Sequence, residues 1–243
     1  MTDAAAAPAA SVPASRLTAP FFEIGPKNLL RLPAVVELAV AAGESGARHG
    51  VSVILTVPTA FLSDVRRAAP QVFVFAQEMH PELPGPSVGR TLPEALVDAG
   101  AHGVMLNHDS NPVRSGFLRS TIARAQQNDL LTMVCAGSDA EVRSLLPLAP
   151  TIVLYEPPGL IGADGGGDRP WIEAIDAEAA VAAPDVLMMH AGGVASPDDA
   201  ERIMRAGAHG TGVTSAVVKS ASPVEAAELF IASTRRGFDA VRG

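Results

Sequence analysis

The chain has 243 residues, 48% of them hydrophobic and 4% aromatic. That is enough for one sizeable α/β domain, with Ala, Val and Leu carrying most of the packing. Its net charge of -8 excludes nucleic acid as a partner, because phosphate backbones are bound by patches of Lys and Arg. The lone cysteine, Cys135, cannot close an internal disulfide and fits a reducing, cytoplasmic setting. No apolar run reaches the roughly 18 residues that a membrane helix needs.

Met1 to Leu17 are rich in Ala, Pro and Ser and lack the basic start and apolar stretch of a secretory signal, so they read as a disordered tail. Residues 18–243 then read as one domain. Eight short apolar runs are expected as strands: Phe21–Ile24, Val51–Val57, Val72–Ala76, Gly103–Asn107, Leu130–Val134, Thr151–Tyr155, Asp185–Met189 and Gly210–Thr214. They are continuously apolar rather than alternating, as strands covered on both faces are. Helical stretches lie between them, among them Leu29–His49, Thr59–Ala69, Gly116–Asn128 and Pro197–Ala206, with a last one from Pro223 towards Val241. Strand followed by helix eight times implies right-handed crossovers and a parallel sheet closed into a (β/α)8 barrel.

An internal echo fits this alternation. Ala99-Gly100-Ala101-His102-Gly103 recurs as Ala206-Gly207-Ala208-His209-Gly210. Each copy ends a helix with glycine and enters a strand on the bottom of the barrel, where sequence serves stability, so His102 and His209 are expected to be structural. Two long connections leave the top. The Pro-rich one is Gln77–Thr91 and the Gly-rich one is Glu156–Pro170. Long top-face loops serve as lids or interfaces.

Chemistry is expected where polar residues follow the strands on the top face. Lys27 follows the first strand in Glu23-Ile24-Gly25-Pro26-Lys27. A cation is disfavoured at a helix start, so its place points to an anionic substrate. His108 follows the fourth strand in Asn107-His108-Asp109-Ser110-Asn111-Pro112, a run that reads as a helix start and would keep the imidazole neutral. Such a ring can donate to a carbonyl or enediolate oxygen. Glu156 ends the sixth strand ahead of Pro157 and Pro158, at the root of the Gly-rich loop, where closure would desolvate it and strengthen it as a base. His190, after the seventh strand, could meet substrate or anchor a loop. Cys135 reads as packing, and Asp164-Gly165-Gly166-Gly167-Asp168 lacks the ligand spacing of a metal loop.

Lys after the first strand, His after the fourth and Glu after the sixth together resemble the triosephosphate isomerase family, particularly its short archaeal-type members. The similarity runs from about Phe22 to Ala227. It is carried by Ala76-Gln77, Thr91-Leu92-Pro93-Glu94-Ala95, Asn107-His108, Thr132-Met133-Val134-Cys135, Glu156-Pro157-Pro158 with Leu160-Ile161-Gly162, and Ser215 to Lys219. The resemblance implies a glycolytic aldose–ketose isomerase, on triose phosphate by default, needing no cofactor and no metal. Glu156 would be the proton-shuttling base, His108 the neutral electrophile and Lys27 the stabilising cation. Gly159–Gly167 would be the lid, and Gly162, Gly193, Ser196, Ser215 and Ala216 would meet substrate or phosphate. It also implies a homodimer or homotetramer, with Pro86-Ser87-Val88-Gly89 against a neighbouring subunit.

The chain departs from the family pattern at several points. Gly25 stands where Asn is usual, and Asp109-Ser110 replaces Ser-Glu. The lid tip is Gly162-Ala163-Asp164 instead of Gly-Thr-Gly. Ala195 takes the place of a phosphate-binding Ser, with Ser196 adjacent, and Ala216 replaces a glycine. These changes leave open a related substrate such as a tetrose phosphate or an unphosphorylated analogue. A non-catalytic metabolite-binding barrel is the reading outside the enzyme class, and the intact trio argues against it.

Overall fold

In a computed structural model, which describes residues 17–114, 116–161, 165 and 167–242, eight parallel strands close into a barrel in chain order. They are β1 (Phe21–Ile24), β2 (Ser52–Val57), β3 (Phe73–Ala76), β4 (Gly103–Leu106), β5 (Leu131–Ala136), β6 (Ile152–Tyr155), β7 (Leu187–His190) and β8 (Gly210–Val213). Each expected strand is present, with ends shifted by at most two residues. The helices are α1 (Leu32–His49), α2 (Leu62–Ala68), α3 (Pro93–Asp98), α4 (Leu118–Gln126), α5 (Asp139–Leu145), α6 (Trp171–Ala182), α7 (Pro197–Arg205), α8 (Ser215–Val218) and α9 (Pro223–Arg242). β8 closes onto β1 with Phe21 opposite Gly210 and Glu23 opposite Gly212. The expected tail falls on residues 1–16, outside the described residues, up to Leu17, which packs against the apolar filling of the barrel.

The continuously apolar strands follow from burial on both faces. One face of each strand fills the barrel, with Phe21, Ile54, Phe73, Phe75, Met133 and Met189 among the filling. The other face meets the helices, as Phe22, Leu55, Val74 and Val104 do in the same layer as Leu38, Ile122 and Ile203. A chain poor in aromatics fits its large rings into glycine sockets. A Cβ on Gly210 would stand 2.4 Å from the Phe21 ring, and one on Gly103 2.6 Å from the Phe75 ring. The bottom of the barrel is therefore a solid plug, and the open polar end is the top.

The sequence echo has a structural meaning. β3–β4 and β7–β8 pair over two residues each, against four in each of the other seams. At both short seams a histidine takes over. His102 Nδ1 accepts from the Val74 N–H at 3.0 Å, and His209 Nδ1 accepts from the Met188 N–H at 3.0 Å. Each histidine's own N–H donates back to the carbonyl of the same strand residue, at 2.8 Å and 3.0 Å. Both rings thus satisfy backbone donors that would otherwise be orphaned in a buried place. Among the described residues no helix is long and apolar enough to cross a membrane.

Candidate active site

The top of the barrel carries a cavity of about 1110 Å³ whose walls include Lys27, His108 and Glu156. Three separate strands deliver them. Lys27 lies three residues beyond β1 with φ of 49°. A non-glycine residue in that left-handed region costs about 1–3 kcal/mol and persists only where its surroundings enforce it. Gln77, just past β3, provides the enforcement. Its Nε2 donates to the Lys27 carbonyl at 3.1 Å and to the Thr56 carbonyl at 3.2 Å. The ammonium is thereby held over the cavity from a fixed backbone.

His108 follows Asn107, which also has a positive φ, 59°. The Asn107 side chain pins the turn, donating to the Cys135 carbonyl at 3.1 Å and accepting from the Val113 N–H at 3.3 Å. The Ser110 N–H donates to His108 Nδ1 at 3.0 Å, and the Ser110 hydroxyl lies 2.9 Å from the same nitrogen. A backbone N–H can only donate, so Nδ1 is the bare nitrogen and the proton sits on Nε2. Burial and then the Lys27 cation hold the His108 pKa below its ordinary value, with Asp109 opposing them. These influences favour the neutral ring expected from the sequence, by a route other than a helix start. Residues 109–113 form no helix, and α4 starts only at Leu118. The turn that closes on Ser110, rather than a helix dipole, supports the imidazole.

Glu156 directly follows β6, its N–H donating to the Ala136 carbonyl at 2.9 Å. The side chain lies against Gly192, whose φ is +81° and whose missing Cβ would come within 3.0 Å of Glu156 Cγ. Any larger residue there would be strained and would crowd the carboxylate. Burial pushes the Glu156 carboxyl up from its ordinary range. Lys27 pulls it down, Asp109 pushes it up and Arg169 pulls it down. The result is a half-buried carboxyl with enhanced proton affinity, subject to the pull of two cations.

Of the residues expected to meet phosphate, Gly193, Ser215 and Ala216 line the same cavity. Ser196 is placed elsewhere. Its hydroxyl caps α7, donating to Asp199 Oδ2 at 2.8 Å and accepting from the Asp199 N–H at 3.2 Å, and it is absent from the cavity wall. The same carboxylate takes the Ala195 N–H at 3.1 Å. Gly162 lies outside the described residues, as do Ala163, Asp164 and Gly166 of the expected lid. His190 turns away from the cavity. Its ring is 1% exposed and its Nε2 sits 2.7 Å from Asp176 Oδ1 on α6, so it anchors helix to strand. Cys135 points into the barrel filling, where burial pushes its thiol pKa up.

Four residues of the site escaped the sequence reading of roles. Gln77 acts through backbone carbonyls, which no motif announces. Arg169, 9% exposed, donates to the Gly192 carbonyl beside Glu156, a contact made across the whole Gly-rich loop. Glu23 stands on the cavity floor. Lys219 lines the cavity as well. Its signal was available: the chain has two lysines, Lys27 and Lys219, and both face this one cavity.

Comparison with known proteins shows the family. The family model of triosephosphate isomerase matches residues 34–230. The chain belongs to the triosephosphate isomerase family. Archaeal members of it are similar over most of their length. The triosephosphate isomerase of Sulfurisphaera tokodaii is 29% identical over 206 residues, covering 84% of this chain and 90% of the relative. That of Cenarchaeum symbiosum is 31% identical over 195 residues, covering 79% and 87%. That of Methanopyrus kandleri is 31% identical over 195 residues, covering 79% and 86%. Within this triosephosphate isomerase-family barrel, two of the departures named above, Gly25 and Asp109, bear on charged groups of the site. Gly25 has handed its space to the Glu23 carboxyl, and the Asp109 charge acts on both His108 and Glu156.

Proposed function

We propose that the protein interconverts D-glyceraldehyde 3-phosphate and dihydroxyacetone phosphate through a cis-enediolate. The observation that carries this reading is the meeting of a proton-hungry carboxylate, a neutral imidazole and a fixed ammonium in one cavity. The Glu156 carboxylate takes the proton from the carbon beside the carbonyl and returns it to the neighbouring carbon. His108 Nε2–H donates to the carbonyl oxygen as negative charge grows on it, and the Lys27 ammonium balances that charge. Both oxygens of the enediolate lie along one edge of the intermediate, so a donor with a single fixed N–H serves both half-reactions.

The phosphate is held at the far end of the cavity. Gly193, the N–H groups at the start of α8 around Ser215 and Ala216, and the Lys219 ammonium make up its surroundings there, with Gly162 of the lid expected to join them. The chain carries net charge -8, so its two lysines form a local positive target for a dianion on an otherwise acidic molecule. A cytoplasmic site of action goes with a glycolytic substrate and a single free thiol. Copies of the chain associate through the 78–90 loop, whose Leu83 and Val88 are exposed.

The decisive test is steady-state turnover of both triose phosphates by the wild type and by Glu156→Gln. Removing the base lowers kcat by about 10²-fold or more while the melting temperature stays put. A loss below tenfold defeats the assignment of Glu156. Erythrose 4-phosphate belongs in the same assay, because Ala195 and Ala216 stand where the family has a hydroxyl and a glycine. A higher kcat/KM on the tetrose would move the physiological substrate to the longer sugar.

A further inference from the structure

Glu23 has no task in the proton transfer just described, yet the site is built around it. The residue is 5% exposed, points inward from β1 and forms part of the cavity floor. Its carboxyl occupies a recess between two glycines. A Cβ on Gly25 would stand 2.9 Å from Oε1, and a Cβ on Gly212 would stand 2.9 Å from Oε2. A side chain at either position would displace the carboxyl, so Gly25, where the family pattern has Asn, and Glu23 form a matched pair. Glu23 Oε1 is buried and has no hydrogen-bond partner among the described residues. A buried polar atom of this kind calls for a partner; the Thr56 hydroxyl of β2, which also lacks one, faces the carboxyl, and an occupant of the cavity meets that carboxyl at the floor.

We propose that Glu23 is a specificity-determining residue that touches the substrate: as a neutral carboxylic acid on the cavity floor, it donates a hydrogen bond to a hydroxyl or carbonyl oxygen at the reacting end of a sugar phosphate. The proposal rests on the isomerase reading above. A protonated carboxyl offers one donor and one acceptor in a plane, as an amide does. The groups facing it are Lys27 from the end of β1, Thr56 from β2, Cys135 from β5 and Glu156 from β6, while Met189 and Gly212 of β7 and β8 bring no charge. Burial pushes the Glu23 carboxyl up to about 8, against the pull of the Thr56 hydroxyl, with Glu156 raising it further and Lys27 lowering it. Below that pH Glu23 is a donor. Above it, Glu23 becomes a second anion beside Glu156 and beside the charge that develops on the enediolate, and transition-state stabilisation is lost.

The test is the pH profile of kcat/KM on triose phosphates for wild type, Glu23→Gln and Glu23→Leu. The wild type should lose more than tenfold between pH 7 and pH 9.5. Glu23→Gln keeps a donor that cannot ionise and should lose less than threefold over the same range. Glu23→Leu should fall at least tenfold below wild type at pH 7. A Glu23→Gln profile that follows the wild type overturns the proposal, whether or not the Leu variant folds. Turnover by Glu23→Leu within twofold of wild type overturns it as well. Wild-type protein inactive on triose phosphates at every pH overturns the isomerase reading and this proposal with it, so the two failures are told apart by the wild-type control.

Discussion

The tautomer of His108 follows from a contact two residues away in the chain, and its resistance to a second proton from burial and the Lys27 cation. The Ser110 N–H occupies Nδ1, and a second proton on the ring would have to displace it. The neutral form is therefore expected throughout the working range, and 15N NMR of the ring nitrogens checks it. Nε2 should remain protonated and Nδ1 bare down to below pH 6.5, the ordinary value of the ring. A ring that gains its second proton at 6.5 or above contradicts this account. The sign of the linked stability follows. Below pH 6.5 the unfolded chain binds a proton that folded His108 refuses, so this group lowers stability as pH falls and contributes no loss above that value. Lys27 was legible as a residue because its type and place were anomalous. Its left-handed backbone was not legible, since the constraint comes from Gln77, fifty positions later in the chain.

Elements explain why Ser196 is absent from the cavity wall. At the start of α7, Ser196 and Asp199 form a reciprocal capping box, with Pro197 in the first turn. Pro at the start and an acidic residue three positions on are the signature of a helix N-terminus, visible in Ser196-Pro197-Asp198-Asp199. Ser196→Ala should cost about 1 kcal/mol of stability, the usual worth of such a cap. KM for the triose phosphates should stay within twofold. Denaturant unfolding together with steady-state kinetics tests both statements, and a KM increase of tenfold would return Ser196 to the phosphate site. The helix expected at Asp109 fails for the converse reason. The Asn107 side chain bonds to the Val113 N–H and, across to β5, to the Cys135 carbonyl, while the Ser110 N–H and hydroxyl meet His108, and these bonds hold the segment in a turn.

At the scale of the whole molecule, several large apolar side chains stand outside the barrel, with Val88, Val181 and Leu83 the most exposed among the described residues. Val88 is 94% exposed and Leu83 is 70% exposed, on the same Pro-rich loop after β3. The root of that loop is fixed. The His80 N–H donates to the Thr91 carbonyl at 2.8 Å, the Thr91 N–H donates back to His80 Nδ1 at 3.1 Å, and the Thr91 hydroxyl donates to Glu78 at 3.0 Å. A loop braced at its root that presents Leu83 and Val88 to solvent fits the association proposed above. Val88→Glu should therefore shift the mass in solution, measured by light scattering on a sizing column, from an oligomer towards the monomer. A wild type already monomeric at micromolar concentration would remove this surface from consideration.

What the sequence determined by itself was everything fixed by local pattern. Strand-length apolar runs alternating with helical stretches dictated a barrel, because parallel strands need covered faces and right-handed crossovers. Polar residues at the ends of those runs marked Lys27, His108 and Glu156, because strand ends are where a barrel presents side chains. What the tertiary structure alone decided were the interactions between strands distant in the chain. The closure of β8 on β1 set Glu23 opposite Gly212, and the fall of β1, β2 and β3 side by side let one Gln77 amide grip both neighbours. Packing around β6 and β7 buried Glu156 against Gly192 and raised its proton affinity. Burial and charge proximity are sums over neighbours in space. A chain read one residue at a time names the groups, and the closed barrel sets their proton affinities and partners.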